Sequence, residues 1–297
     1  MKLKAIAENH NFLLKALEWV VLIFICSMTL IGIWSLIWAG RSDIGAMKWL
    51  QFFQSLGVFL LPALIVAYLW SDKPADYLHL SSAPKLTDSL FAVVIIIVGL
   101  PAINMLSYFN QQLTLPSFLH DLELQLKQWE EAAEQLTERF LQTDNLFGLI
   151  VNLLLMALLP ALCEETCFRG ILQNLFGGND LSAGLTRKQH IAVWTTACVF
   201  SFVHFQFYGF LPRLLLGALL GYLLVLTGCL WVPIIAHFTN NACSVIAYYI
   251  VSNNENIDME QIDSLGAEST LWLGILSVGL VILFIFLFVK SKNHETN

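Results

Sequence analysis

Eight apolar runs set the limits on what this chain can fold into: residues 19–39, 49–70, 90–108, 146–176, 191–208, 211–227, 230–251 and 270–289. Most are near or beyond the roughly 20 residues a helix needs to cross a hydrocarbon core about 30 Å thick. Backbone in that medium must satisfy its own hydrogen bonds, so runs of this length read as membrane helices. Composition agrees: 57% of residues are hydrophobic and 12% charged, about half the charged share of a soluble domain. The expected fold is therefore all-α, a polytopic membrane protein with about eight transmembrane helices. The first run is longer than the roughly 7–15 apolar residues of a signal peptide and is expected to be retained. Pro62 and Pro101 fall inside runs as tolerated kinks. The run over 146–176 is too long for one straight crossing and reads as a tilted helix kinked near Pro160.

One segment has a different period. Between residues 117 and 141, Phe118, Leu122, Leu126, Trp129, Ala133, Leu136 and Phe140 recur at steps of three and four, with carboxylates between them. That is an amphipathic extramembrane helix, with Ser117 placed to cap it. Its polar face is acidic, whereas helices that bind anionic lipid are usually rich in Lys and Arg. It is expected to pack across the extramembrane ends of the other helices, or to lie in the interface without charge attraction.

With the Lys-bearing N-terminus inside, the acidic segments 110–144 and 252–269 fall outside, while Arg187, Lys188, Lys290 and Lys292 fall inside. The expectation is an integral protein of the cell (inner) membrane with both termini cytoplasmic. The net charge of −7 reports those acidic segments, and no basic patch suits a nucleic acid. Four regions follow: a three-span region over 1–110, the acidic segment 111–144, a core over 145–251, and an external loop, last span and tail over 252–297. The six cysteines lie in apolar stretches and read as small buried hydrophobes; Cys163 and Cys167 lack the second Cys pair of a closed zinc site.

The chemistry is concentrated where charge enters apolar runs. Glu164, Glu165 and Arg169 stand inside the fourth run, and a charge near a bilayer centre costs roughly 2.5–3.5 kcal/mol. Residues four apart share a helix face, so Glu165 and Arg169 can pair, leaving Glu164 about 100° away as the free carboxylate. His204 follows Phe200 by one turn, and His237 precedes Asn241 by one turn. At about 1.5 Å per residue, counted from the cytoplasmic ends, Glu164, His204 and His237 lie roughly 18, 15 and 10 Å deep. Those depths suit one cavity in the middle-to-cytoplasmic half. A carboxylate can take a proton from water, an imidazole can orient that water, and an amide can donate to a developing oxyanion. Glu164, His204 and His237 would also satisfy a catalytic zinc with an open fourth position.

The ordered set Glu164-Glu165…Arg169, Phe200…His204 and His237…Asn241 resembles the pattern of the CPBP family of intramembrane proteases, which includes Ras-converting CAAX endopeptidases and bacteriocin-immunity (Abi) proteins. The resemblance extends to Phe168-Arg169-Gly170 and to the run from Gly217 to Pro233, within residues 146–249. It implies a membrane-embedded endopeptidase acting on a membrane-associated protein or peptide, prenylated CAAX-type C-termini among them. It also implies that Glu164 with His204 activates water, that His237 and Asn241 stabilise the oxyanion, and that Glu165 with Arg169 shapes the site. Metal-free glutamate chemistry and zinc chemistry both stay open. So do two other readings of the same residues: a proton-coupled transporter with Glu164, His204 and His237 as a relay, and a non-catalytic immunity or binding protein of the same fold.

Overall fold

The computed structural model describes residues 4–41, 43–254 and 256–295. Lys2, which bears on the topology argument, and Glu255, within the external acidic segment, lie outside the described residues. Among the described residues all regular structure is helical. Helix α1 covers Phe12–Ile37, α2 Ile44–Trp70, α3 Leu86–Gln111, α4 His120–Leu141 and α5 Leu146–Gly177. Helix α6 covers Arg187–Phe202, α7 Phe210–Thr227, α8 Trp231–Ser252 and α9 Leu271–Glu295. Among the described residues seven helical stretches are long and apolar enough to cross a membrane: α1, α2, α3, α5, α7, α8 and Met259–Asn293, which takes in most of α9. Helix α6, with 16 residues, is about 24 Å long and falls just short. The fold is a polytopic helical bundle of a membrane protein.

The prolines shape these helices through the N–H they lack. In α2 a widened π turn, Ser55–Leu60, leads into Pro62, and in α5 another, Leu153–Leu158, leads into Pro160. The extra residue per turn makes room for a ring that would otherwise strike the carbonyl four residues back. At Pro101 the repair comes from α9. Ser277 Oγ donates to the Val98 carbonyl and accepts from the Ala102 N–H at 3.1 Å, standing in for a missing helical bond.

Helix α9 lies along α3, α6 and α7 form a hairpin, and α8 packs against α3, α5 and α7. At one end of the bundle Lys292 reaches Asp88 at 2.6 Å. At the same end the turn after α2 folds inward. The Leu230 N–H donates to the His79 carbonyl and Trp231 Nε1 to that of Leu80. Leu78, 1% exposed, lies so close to Gly170 that a Cβ there would sit 2.9 Å from its methyl group. Glycine lets the two segments come this close without that methyl group having to shift.

Helix α4 packs across the other end, touching α2, α5 and α8, as its amphipathic pattern predicts. Ser117 does not cap it: a 3₁₀ turn, Ser117–Leu119, comes first and the α-helix opens at His120. A larger difference concerns α6. The apolar run suggests a helix to residue 208, yet it ends at Phe202. Ser201 Oγ donates to the Phe210 carbonyl, Phe205 takes φ 54°, and the Tyr208 N–H turns to Glu130 of α4 at 2.8 Å. Just past the helix the His204 N–H closes onto the Ser201 carbonyl and the Phe205 N–H onto that of Phe202, so His204 lies in a tight turn on the α4 side.

Candidate active site

The site is built on the buried stretch of α5 that carries Glu165 and Arg169. Arg169 Nη1 donates to Glu165 Oε1 at 2.7 Å, and Nη2 donates to the Gly217 carbonyl of α7 at 2.9 Å. Neither side chain is exposed at all. The guanidinium also lies 4.6 Å from the centre of the Phe200 ring of α6, so one cation holds three helices in register. Close approach depends on Gly217, where a Cβ would lie 3.2 Å from Phe200 and 3.3 Å from Ala197.

Glu165 Oε1 accepts a second hydrogen bond, from His237 Nδ1 of α8, at 2.8 Å. A carboxylate only accepts, so Nδ1 carries a proton and Nε2 is the nitrogen left to face the site. That nitrogen stands 3.9 Å from Glu164 Oε2. Arg169, Glu165 and His237 thus form a buried hydrogen-bonded chain that ends facing the second carboxylate. Glu164 differs from its neighbour as helix geometry requires: its side chain is 14% exposed, against none for Glu165.

Phe200 is the hub around which the rest is arranged. Its ring centre is 5.0 Å from that of His204, 6.0 Å from that of His237 and 5.1 Å from that of Phe168. His204 Nδ1 donates to the Phe200 carbonyl at 2.7 Å, which directs its proton and leaves Nε2 as an acceptor. Direct contacts therefore join Glu164, Glu165, Arg169 and His237, and His204 joins them through Phe200. Asn241 stands one turn beyond His237, and its Oδ1 accepts from Asn240 at 3.2 Å. The imidazole facing Glu164 at 3.9 Å is that of His237, drawn there by Glu165, rather than the His204 partner that the resemblance implies.

Arg213 is a residue that sequence reasoning passed over. It sits in the first turn of α7, where Nη2 donates to Gln206 Oε1 at 2.6 Å while Nη1 is buried without a protein partner. Its charge reaches Glu164, His204 and Glu130. The signal was available, since Arg213 is the one charged residue in the apolar run 211–227.

Among the described residues no group of three or more His, Cys, Asp or Glu side chains is arranged to hold a metal ion. Nδ1 of each imidazole is committed, to Glu165 in His237 and to the Phe200 carbonyl in His204, so Nε2 is the nitrogen each could offer a metal. As arranged, Glu164, His204 and His237 are not gathered around one metal position.

Residues 146–243 match the family model described as Type II CAAX prenyl endopeptidase Rce1-like. The matched stretch runs from the start of α5 into α8 and contains all seven residues of the motif set. The chain is also 32% identical over 97 residues to the uncharacterized protein YpbD of Bacillus subtilis (strain 168), an alignment covering 31% of this chain and 43% of that one. The chain thus spans less than half the length of that curated relative. No solved structure matches it. The likeness over this third of the chain is to a protease family, and the buried His237–Glu165 pair within it is consistent with a catalytic centre.

Proposed function

We propose that this protein is an intramembrane endopeptidase that hydrolyses a peptide bond of a membrane-associated protein or peptide, with CAAX-type C-termini the first substrates to try. The observation that carries the reading is the buried chain Arg169–Glu165–His237, which ends 3.9 Å from the free carboxylate of Glu164. A transport relay needs no second carboxylate locked to an arginine, whereas a hydrolase needs one carboxylate free and one imidazole fixed.

Glu164 acts as general base. A water held between Glu164 Oε2 and His237 Nε2 donates one hydrogen bond to each, and Glu164 removes its proton as the oxygen attacks the carbonyl carbon. Glu165 keeps His237 in the tautomer whose Nε2 faces that water, and Arg169 holds the Glu165 carboxylate in place. Asn241 uses its oxygen towards Asn240, which leaves its amide hydrogens to donate to the oxyanion. As the C–N bond breaks, the proton taken by Glu164 passes to the leaving nitrogen. His204, with Nε2 free, stands beside that departing group. The reading places both termini in the cytoplasm and takes the region 145–251 as the catalytic core.

The test is cleavage of a quenched farnesylated CAAX-type peptide by detergent-purified protein. General-base catalysis contributes about 10²–10⁴-fold, so Glu164→Gln should lose at least about 100-fold in rate. A Glu164→Gln protein that cleaves as fast as wild type removes Glu164 from the base role.

A further inference from the structure

Arg213 carries a charge that the fold positions with care and leaves incompletely partnered. It is the one charged residue in the apolar run 211–227, where a cation without a role is costly. Neighbouring elements fix the turn beside it. Asn110 of α3 donates from Nδ2 to the Phe207 carbonyl at 2.8 Å and accepts the Leu211 N–H at 3.0 Å, which pins the segment joining α6 to α7. Glu130 of α4 accepts the Tyr208 N–H at 2.8 Å within the same segment. The turn so held offers Gln206 Oε1 to Arg213 Nη2 at 2.6 Å. Gly209 leaves room for the guanidinium, since a Cβ there would lie 3.0 Å from Nη2.

What remains is a donor without an acceptor. Nη1 is buried and has no protein partner, whereas buried polar groups are nearly always paired. Gln206 supplies only a neutral amide, and Glu130, which the Arg213 charge reaches, is turned to the Tyr208 N–H. The acceptor that best completes a planar guanidinium fork is a carboxylate, taken by parallel N–H bonds from Nη1 and Nη2. Position says whose carboxylate it is. Arg213 adjoins the turn that carries His204, and its charge reaches both His204 and Glu164. With His204 beside the leaving nitrogen, the residues released by cleavage run on from His204 towards Arg213. A released C-terminal fragment ends in a carboxylate.

We infer that Arg213 is the receptor for the free C-terminal carboxylate of the substrate peptide. It rests on the peptidase reading for the direction in which the peptide lies. It also narrows the substrate class beyond what the motif residues specify, to a peptide whose own C-terminus falls within a few residues of the scissile bond. An internal segment of a longer chain would leave Nη1 unpartnered. Arg213 touches no reacting atom in this arrangement, so its contribution is to binding and selection.

The farnesylated CAAX-type peptide of the cleavage assay would be made in two forms, identical except that one ends in a carboxylate and the other in a carboxamide. Binding is read first, by fluorescence anisotropy with full-length Glu164→Gln protein in detergent. A hydrogen bond to a charged group corresponds to about 10- to 100-fold in affinity, so the acid should bind at least about 10-fold more tightly than the amide. With Arg213→Gln added, that preference should disappear; Arg213→Lys, which keeps the charge without the fork, should restore part of it. Cleavage by protein bearing Glu164 should show the same preference in kcat/KM, carried by KM. Equal binding of acid and amide with Arg213 intact, or binding of neither, overturns the inference without any variant of Arg213 having to fold. A preference that survives Arg213→Gln gives the carboxylate to another residue and overturns it as well. The two readings fail separately. Acid and amide cleaved alike removes the carboxylate site and leaves the peptidase; acid preferred in binding but cleaved by no protein bearing Glu164 leaves the site and removes the peptidase.

Discussion

Arg169→Met should unfold the protein early, and the structure says by how much. The substitution keeps a flexible apolar stem but removes a cation bonded to Glu165 at 2.7 Å and to the Gly217 carbonyl at 2.9 Å, at a site with no exposure. Breaking one partner of a buried pair costs about 3–5 kcal/mol, because the other charge is left uncompensated. Here Glu165 keeps His237 as a donor, and Arg169 Nε and Glu165 Oε2 already lack protein partners, so the lower end of that range applies. At roughly 2 °C per kcal/mol for a chain of this size, the expected fall in Tm is about 6 °C. Thermal unfolding of the detergent-purified protein, followed by tryptophan fluorescence, would read it. Glu165→Gln completes a double-mutant cycle, in which the double variant should be at least about 1 kcal/mol more stable than the sum of the singles. An Arg169→Met protein within about 2 °C of wild type would show that the pair is not holding α5, α6 and α7 together.

Three further outcomes are expected. Ser277→Ala leaves the Val98 carbonyl and the Ala102 N–H without the hydroxyl that joins them, at a cost of about 1–3 kcal/mol in the same unfolding assay; an unchanged Tm would mean the groups re-pair on their own. Gly266→Ala should be more severe. Gly266 sits at φ 96°, and a Cβ there would lie 2.1 Å from the Pro101 carbonyl oxygen, so loss of folded protein on size exclusion is expected and a normal elution profile would refute the packing. The anchorage of α4 should depend on pH. The Lys127 ammonium, 3.0 Å from Glu123, together with the Leu115 N–H and the Tyr208 hydroxyl, holds the Glu123 carboxyl below its usual range. A carboxyl depressed in the folded state adds stability that is present above its ordinary pKa, near 4.3, and is lost as pH falls through the lower folded value. Proteolytic nicking of α4 should therefore appear only below about pH 4 and should move to higher pH in Lys127→Met; nicking independent of pH would refute it.

Much of the fold was legible because a bilayer permits few alternatives to a helix over some 20 apolar residues. The amphipathic segment at 117–141 was equally readable, since its period and its acidity both argue for a helix lying across the bundle ends. What failed was termination. Periodicity does not stop α6 at Phe202: residues 203–208 are apolar or aromatic enough to continue, and the turn that replaces the helix there is tied from outside by Glu130, more than 70 residues earlier in the chain, which accepts the Tyr208 N–H. Helix ends decided by tertiary hydrogen bonds are invisible to periodicity, and this one moved His204 from inside a span to a turn.

The site shows the same division between what a single helix dictates and what the bundle decides. That Glu165 pairs with Arg169 while Glu164 stays apart follows from 3.6 residues per turn, and no other helix is needed to derive it. Which histidine faces Glu164 does not follow, because it depends on how α8 lies against α5. There Glu165 spends one oxygen on both Arg169 and His237, so the residue assigned to shaping the site also selects the imidazole next to the free carboxylate. A carboxylate that only paired with arginine would leave His237 free to rotate; one that only held histidine would be a buried, uncompensated charge. The adjacent glutamates are therefore not redundant. One must be neutralised for the other's neighbour to be aimed, and that coupling is why Arg169, which touches no reacting atom, should matter to rate as well as to stability.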